Sequence, residues 1–416
     1  MAIRGKRFDG HDFVGEAFSR GASAALVEQR SLKVDAGCRV LKVADTLVAL
    51  GQLARFHRER FRLDLVAVTG SSGKSTTKTM LAHMLSRSRE VLATPGTQNN
   101  RIGVPLALFR LHEGHQAAVL ELGTNQWGEI RTLTQISRPT MGVVTNIGPA
   151  HLETFGDLRG VLRAKGELWE AMEPDAALVL NADDPLLWEA GRRLSRRVVW
   201  FGCNPRSDFR ATQIRMEPSG STSRLNGRWE LKLSLPGQHN LMNALAALAC
   251  AQLLGEDLPA AAERLSTCPA LPGRLNFVER EGLLVIDDTY NANPASLQAA
   301  LKVLEGLRRP GRRVVALGDM LELGEQAEVL HAQGGRWVAE ARADVLVTVG
   351  RWARWVLAAA CEAGLSSEAG HTFGTPEEAG EFLSGILRPG DTLLLKGSRG
   401  MQMERVLASF TTSSTH

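Results

Sequence analysis

The sequence predicts an α/β protein of three domains, with mostly parallel sheets in the two larger ones. Three observations predict it. Short apolar runs such as Leu65-Val-Ala-Val-Thr69 recur along the chain, each leading through a turn into a helix-like stretch. Strands that read as continuous apolar runs between helices belong to parallel sheets covered on both faces. The rhythm breaks twice, after the basic stretch Arg55 to Arg62 and at Cys268-Pro-Ala-Leu-Pro-Gly-Arg274, where two prolines and a glycine fall within a few residues. A length of 416 residues also exceeds one ordinary core.

Residues 1–62 form a short mixed block. Its start is basic but has no apolar core, so it is not a secretory signal. Residues 63–271 form the central unit. Its strands are read at Leu65–Thr69, Val119–Leu122, Met141–Thr145 and Ala177–Leu180. Residues 207–235 lack helical periodicity, and Trp229-Glu-Leu-Lys-Leu-Ser-Leu235 alternates strictly, which predicts an antiparallel flap. Residues 272–416 resume the βα rhythm at Leu283–Ile286, Val314–Leu317, Val345–Thr348 and Thr392–Leu395, with a helix fitting Pro294 to Gly306. This is a smaller, doubly wound, Rossmann-like domain.

Composition excludes several classes. Hydrophobic residues are 44% and charged residues 23%, so the chain is globular rather than disordered. No window approaches ~18 uninterrupted apolar residues, so no membrane span is expected. A net charge of +4, with no basic tract interleaved with aromatics, argues against nucleic acid. Cys38, Cys203, Cys250, Cys268 and Cys361 form an odd set without a C-x-x-C pair. They read as free thiols of a reducing cytosol.

The most informative segment is Val68-Thr-Gly-Ser-Ser-Gly-Lys-Ser-Thr-Thr77. A strand ends at Thr69 and a helix is expected near Lys74. Backbone N–H groups at such a helix start converge on one spot, where the helix dipole favours anions. Gly70 and Gly73 let the backbone approach a phosphate closely. Ser71 and Ser72 lie inside the turn, and Thr76 follows Lys74 and Ser75 on the helix. Lys74 can reach the outer phosphates of a nucleotide and the Ser75 hydroxyl can bind Mg²⁺. The residue five before Gly73 is Val68, so this is the shorter G-x-x-G-K-[ST] form.

Four further clusters extend the reading. Glu121 ends a strand parallel to the first, where a carboxylate suits Mg²⁺; the competing reading is a surface acid. His151 follows the strand Val143-Val-Thr-Asn146, a position where a histidine is more often structural. Lys165 lies in the helical stretch Arg163-Ala-Lys-Gly-Glu-Leu168, where a solvated charge is the plainer reading. Asn240 and Asn243 sit at i and i+3 and share a helix face, unless they simply cap the helix. Asp184 reads as an N-cap with Pro185 at the first helical position, and Asn204-Pro-Arg206 as a turn.

Taken together, these residues resemble the Mur ligase family of ATP-dependent amide-forming enzymes. The runs T-G-S-S-G-K-S-T (69–76), T-N-I-G-P-A-H-L-E-T-F-G (145–156), A-K-G-E (164–167), G-Q-H-N-L-M-N (237–243) and P-G-R-L-N (272–276) occur in the family's order. Further runs resemble one branch of it: F-D-G-H-D-F (8–13), T-Q-N-N-R-I-G-V-P (97–105), I-D-D-T-Y-N-A-N-P (286–294), L-G-D-M-L-E-L-G (317–324) and K-G-S-R-G-M (396–401). That branch joins D-alanyl-D-alanine to UDP-N-acetylmuramoyl-tripeptide through an acyl phosphate, a step of peptidoglycan synthesis. The alternative is a sibling ligase, or a folylpolyglutamate synthase-like enzyme, with another amine acceptor. A partner of cell-wall synthesis that binds ATP without turnover is a more distant one.

The resemblance implies a small N-terminal α/β domain for the UDP-substrate, a central P-loop-type ATPase and a C-terminal domain closing over ATP. It implies that Lys74 binds phosphate and that Ser75, Glu121 and His151 serve Mg²⁺. Two Mg²⁺ are expected, with Lys165, carbamylated in several members, helping to hold the second. Asn240, Arg274 and Asp288 match nucleotide contacts, with Asn291 and Asn293 nearby. Asn99 and Asn100 match a loop facing the UDP-substrate. The catalytic set is then Lys74, Glu121, His151, Lys165 and Arg274. Members usually carry a longer stretch before F-D-G-H-D-F, including a D-[ST]-R segment, so the N-terminal block is expected to be shortened. A monomer of the bacterial cytoplasm is expected.

Overall fold

The computed structural model describes residues 1–5, 7–28, 37, 39–217 and 220–410. Cys38 lies outside the described residues. The chain builds three sheets. A two-stranded parallel one pairs β1 (Ala25–Glu28) with β2 (Val40–Val43). The helix Thr46–Glu59 follows, and Asp45 caps it by accepting from the Leu47 and Val48 N–H groups. This helix reaches beyond its own block. Ala54 enters the core of the central unit, and Arg58, buried, donates to the carbonyls of Ser137, Phe61 and Leu63.

The central sheet has nine strands: β3 (Asp64–Thr69), β4 (Val91–Ala93), β5 (Ala117–Glu121), β6 (Met141–Val144), β7 (Ala177–Asn181), β8 (Val198–Gly202), β9 (Phe209–Glu217), β10 (Gly220–Leu225) and β11 (Trp229–Leu233). Their order is β11-β10-β9-β8-β7-β6-β3-β5-β4, parallel from β9 to β4. Residues 207–235 carry the expected antiparallel part, and it extends the main sheet. β10 and β11 pair antiparallel and continue the main sheet. The strict alternation explains why: Leu231 and Leu233 turn inward, while Glu230 and Lys232 face solvent. Together with Phe209, Ala211 and Leu225 they join the core under the helix Gln238–Leu253.

β3 stands between β6 and β5. Val68 is in register with Glu121, and Thr69 with Val144. The phosphate loop, Glu121 and the segment after β6 therefore emerge at one edge, where open α/β sheets hold their ligands.

The C-terminal sheet comprises β12 (Asn276–Arg280), β13 (Leu283–Asp288), β14 (Arg313–Gly318), β15 (Val345–Val349), β16 (Gly370–Phe373) and β17 (Thr392–Lys396), in the order β12-β13-β17-β14-β15-β16. All pairs are parallel except β12–β13. The expected helix runs Pro294–Gly306, started by a capping box between Asn293 and Ser296. The two larger units share a core. Leu152, Phe155, Val161 and Ala164 pack with Leu275, Leu297 and Leu317 of the other unit. Each such side chain contributes about 1.5–3 kcal/mol on burial, so the contact is apolar packing and not only charge.

Candidate functional site

The loop after β3 has the geometry of an anion cradle. Helix Lys74–Leu85 begins at Lys74, with Gly73 as its N-cap. Gly70 has φ +146°, and a Cβ there would stand 1.9 Å from Thr145 Oγ1. Gly73 has φ +81°, and its Cβ would meet Asn243 Oδ1 at 2.2 Å. Neither position admits a side chain without displacement. The segment after β6 fixes the turn from beneath. Asn146 accepts from the Ser71 N–H through its carbonyl and from the Ser72 N–H through Oδ1, both at 3.0 Å. Ser71 Oγ and the Gly148 backbone exchange two further bonds.

Beside the loop lies a cavity of ≈ 590 Å³, closed on its far side by the C-terminal unit. The structure brings most of the sequence-predicted residues to its wall. They are residues 71–76, then Asn99, Asn100, Glu121, His151 and Asn240, and across the gap Arg274, Asp288, Asn291 and Asn293. Gly70 lies behind the wall. Lys165 does not line this cavity, although it is buried nearby at 2% exposure.

Lys74 folds back on its own loop, donating from Nζ to Gly70 O at 2.8 Å and to Ser71 O at 3.5 Å. Burial pushes this amine below the usual lysine value; Glu121 opposes the shift and Arg274 adds to it. Glu121 is 1% exposed, so it is not a surface acid. It accepts from Ser75 Oγ at 2.6 Å and from Asn99 Nδ2 at 2.8 Å. Arg274 reaches over from the C-terminal side, donates from Nη2 to Ser75 Oγ at 2.8 Å and lies 4.1 Å over the Tyr290 ring.

His151, at φ +55°, precedes the short helix Leu152–Phe155. Its Nδ1 comes within 2.6 Å of Glu322 Oε2, with poor hydrogen-bond alignment. The Glu322 carboxyl is held below the usual range by His151. Asn240 and Asn243 do share a face: Asn243 Nδ2 donates to Asn240 Oδ1 at 3.3 Å, while Gly237 holds the N-cap position. Asp288 and Lys396 end neighbouring parallel strands in register and meet at 2.5 Å. Asp288 Oδ1 also accepts from the Leu275 N–H. Asn293 Oδ1 caps its helix through the Ser296 N–H, and Asn100 Oδ1 accepts from the Ile102 and Gly103 N–H groups.

Lys165, on the helix Leu158–Ala171, has no hydrogen-bond or ion-pair partner among the described residues. Burial first, and the Lys74 charge second, drive its amine well below the ordinary lysine value. Among the wall or near-wall residues not singled out from sequence are Lys78, His239, Tyr290 and Lys396. Each sits inside or beside a quoted motif. His239 is half-buried and pushed down to about 4 by burial, with Lys396 adding to it. Asp184 caps the helix Pro185–Gly191 as expected, and Asn204–Arg206 is an ordinary turn.

A glycine-built anion cradle, facing a second α/β unit across a polar cavity, is the architecture of a two-unit nucleotide-dependent enzyme. Residues 68–251 match the family model described as Mur ligase middle domain, and residues 273–399 match Mur ligase, glutamate ligase domain. The UDP-N-acetylmuramoyl-tripeptide–D-alanyl-D-alanine ligase of Escherichia coli (strain K12) is 38% identical over 425 residues, spanning 100% of this chain and 91% of that protein. The like-named ligase of Bacillus subtilis (strain 168) is 33% identical, spanning 98% of this chain and 89% of its own. A crystal structure of MurF from Acinetobacter baumannii superposes with a TM-score of 0.89 at 37% identity, covering 98% of this chain and 89% of that one. MurF ligase from Thermotoga maritima in complex with ADP gives 0.88 at 32% identity, covering 98% and 93%. The chain belongs to the Mur ligase family of ATP-dependent ligases. No helix among the described residues is long and apolar enough to cross a membrane.

Proposed function

We propose that this chain joins D-alanyl-D-alanine to UDP-N-acetylmuramoyl-tripeptide, with ATP converted to ADP and phosphate. The observation that carries the reading is Arg274, brought from the second unit to Ser75 Oγ, 2.8 Å away at the mouth of the cradle. Relatives named for this reaction at 38% and 33% identity support the choice of substrates.

In this reading the tripeptide's terminal carboxylate attacks the γ-phosphate and becomes an acyl phosphate. The amine of D-alanyl-D-alanine then attacks the carbonyl carbon and phosphate leaves. No protein nucleophile is needed. The Gly70–Gly73 turn and Lys74 grip the phosphates, and Arg274 offsets charge on the transferring oxygens. Asn240, Asp288, Asn291 and Asn293 face the nucleoside end, and Asn99 and Asn100 face the UDP-substrate.

Ser75, Glu121 and His151 would hold Mg²⁺. Two hard oxygen donors 2.6 Å apart at the cavity wall suit that ion. Bound there, Mg²⁺ neutralises charge on the phosphoryl oxygens. Lys165 would support a second Mg²⁺ as a carbamate. Its amine adds to CO2, the new N–C bond forms and a proton passes to water. Only the neutral amine can do this, and burial beside Lys74 favours that form. The division near residues 62 and 271, into a UDP-substrate unit, an ATP unit and a closing unit, belongs to the same reading, as does a monomer working in the bacterial cytoplasm.

The test is phosphate release with ATP, UDP-N-acetylmuramoyl-tripeptide and D-alanyl-D-alanine, omitting each in turn. Release is expected only with all three. Full release without D-alanyl-D-alanine, or with another amine preferred in a substrate panel, would overturn the proposal.

A further inference from the structure

Lys78 is the fifth residue of the helix that begins at Lys74, so the two lysines share a face one turn apart. Lys74 turns back to the phosphate loop. Lys78 turns the other way, to a different segment. It is 4% exposed, and its Nζ donates to Thr94 O at 2.7 Å and to Gly96 O at 2.6 Å. These carbonyls belong to the stretch that leaves β4 and leads to Asn99 and Asn100.

That stretch is stitched to the catalytic edge at several points. Thr94 N–H donates to Val119 O, and Thr94 Oγ1 accepts from the Glu121 N–H at 3.0 Å. Further along, Asn99 Nδ2 donates to Glu121 Oε1, and the Gly123 N–H donates to Asn99 O, both at 2.8 Å. There is no slack at Gly123, where a Cβ would stand 2.6 Å from Asn99 Oδ1. Between these stitches the backbone bends through Gly96 at φ +48°, and the Lys78 ammonium holds the carbonyl of that bend. The ammonium also lies 4.0 Å from Glu121 Oε2, too far for a hydrogen bond but close enough for attraction.

The geometry points to Lys78 as a positioning residue that ties the phosphate-binding helix to the loop 94–100, so that Asn99 meets Glu121 and the loop presents itself to the UDP-substrate. The inference rests on the proposed reaction and on that loop's place in it. Lys78 does not line the cavity beside the phosphate loop. It carries the position of one substrate's helix to the other substrate's loop, and its loss falls on the UDP-substrate rather than on ATP. A buried amine serving only the fold would affect both substrates alike, or neither.

The test compares Lys78→Met, which keeps length and loses the donors, with Lys78→Arg, which keeps charge and donors. In K78M the KM for UDP-N-acetylmuramoyl-tripeptide is expected to rise roughly tenfold or more, the scale of a lost hydrogen bond to a charged group. The KM for ATP is expected to stay within about twofold, and K78R to recover most of the loss. Asn99→Ala should reproduce the K78M defect, and the double variant should be no worse than either alone. Amide hydrogen exchange, which needs no turnover, is expected to speed up in residues 94–100 of K78M while helix 74–85 stays protected. Unchanged exchange in that loop, or equal rises in both KM values, would overturn the inference even if the wild-type chain proves an active ligase. A wild-type chain without ligase activity would instead sink the proposed reaction, and the exchange experiment would still decide what Lys78 holds.

Discussion

Replacing Lys74 with alanine separates what the amine does in turnover from what it does in the fold. Among the described residues, Nζ has Gly70 O at 2.8 Å and Ser71 O at 3.5 Å as its hydrogen-bond partners. Such bonds contribute about 1 kcal/mol net apiece, and the longer one less. Against them stand burial and the Arg274 charge, which push the amine below its ordinary value. A lysine whose folded value is lowered destabilises the fold wherever the unfolded chain would be charged. The two effects oppose each other, so K74A should melt within a few degrees of wild type. In the proposed reaction the same amine would meet charge developing on the phosphoryl oxygens. Losing one such contact costs roughly 3 kcal/mol of transition-state stabilisation, or about 10²-fold in rate. Steady-state phosphate release at saturating substrates, run beside thermal melting, reads both quantities. A K74A enzyme within about fivefold of wild type would refute the assignment of Lys74 to the phosphates. A collapse in melting temperature would refute the claim that its fold role is small.

Three other outcomes follow from the same geometry. Gly73→Ala forces a side chain into φ +81° and onto Asn243 Oδ1, so calorimetric affinity for a non-hydrolysable ATP analogue should fall by about tenfold or more, and an unchanged affinity would contradict the close approach. His239 binds its proton only near 4 in the fold but near ~6.5 when unfolded, so stability should rise with pH across that window by at most about 3 kcal/mol, and urea titrations of His239→Asn should show a flatter slope. Lys165 needs a neutral amine to hold CO2, so a carbamate signal from ¹³C-bicarbonate should fade as pH drops and vanish in Lys165→Ala; full activity with no labelled carbon would remove the modification.

The fold was legible where one physical signal dominated. Strands β3, β5, β6 and β7 are buried nearly throughout, and such strands show up as unbroken apolar runs. β4 has only three residues, and β16 is Gly-His-Thr-Phe at an edge, half-exposed; neither leaves a run to read. The direction of β9 was not legible, because alternation reports which face is buried and not which neighbour is paired. The site divides in the same way. The cradle could be read from Gly70, Gly73 and Lys74 because backbone conformation demands those residues locally. Glu121 looked like a surface acid because its partners, Ser75 and Asn99, lie 46 and 22 residues away. Lys78 and Lys396 were not singled out for the same reason: their burial comes from pairing with distant segments, which no local pattern encodes.

Arg274 shows how the two larger units are coupled. Ser75 Oγ has one proton, and Glu121 Oε2 at 2.6 Å takes it. The Arg274 bond at 2.8 Å therefore uses a lone pair of Ser75. A second lone pair stays free on that oxygen, but the guanidinium 2.8 Å away repels a cation approaching it, so in the proposed reaction a metal ion and Arg274 compete for Ser75. The backbone around Arg274 is fastened to the C-terminal unit: Tyr290 N–H donates to Gly273 O at 2.9 Å, and Leu275 N–H to Asp288 Oδ1 at 3.2 Å. Its side chain, in contrast, is fastened to the central unit. Movement between the units would strain the Arg274–Ser75 bond together with the contact of His151 with Glu322. The Tyr290 ring, 4.1 Å beneath the guanidinium and carried by the same unit, gives the released cation a resting face that needs no acceptor. Release of the arginine and separation of the units are thus coupled, and in the proposed reaction the residue that would offset phosphoryl charge is the one that holds the Ser75 hydroxyl in this structure.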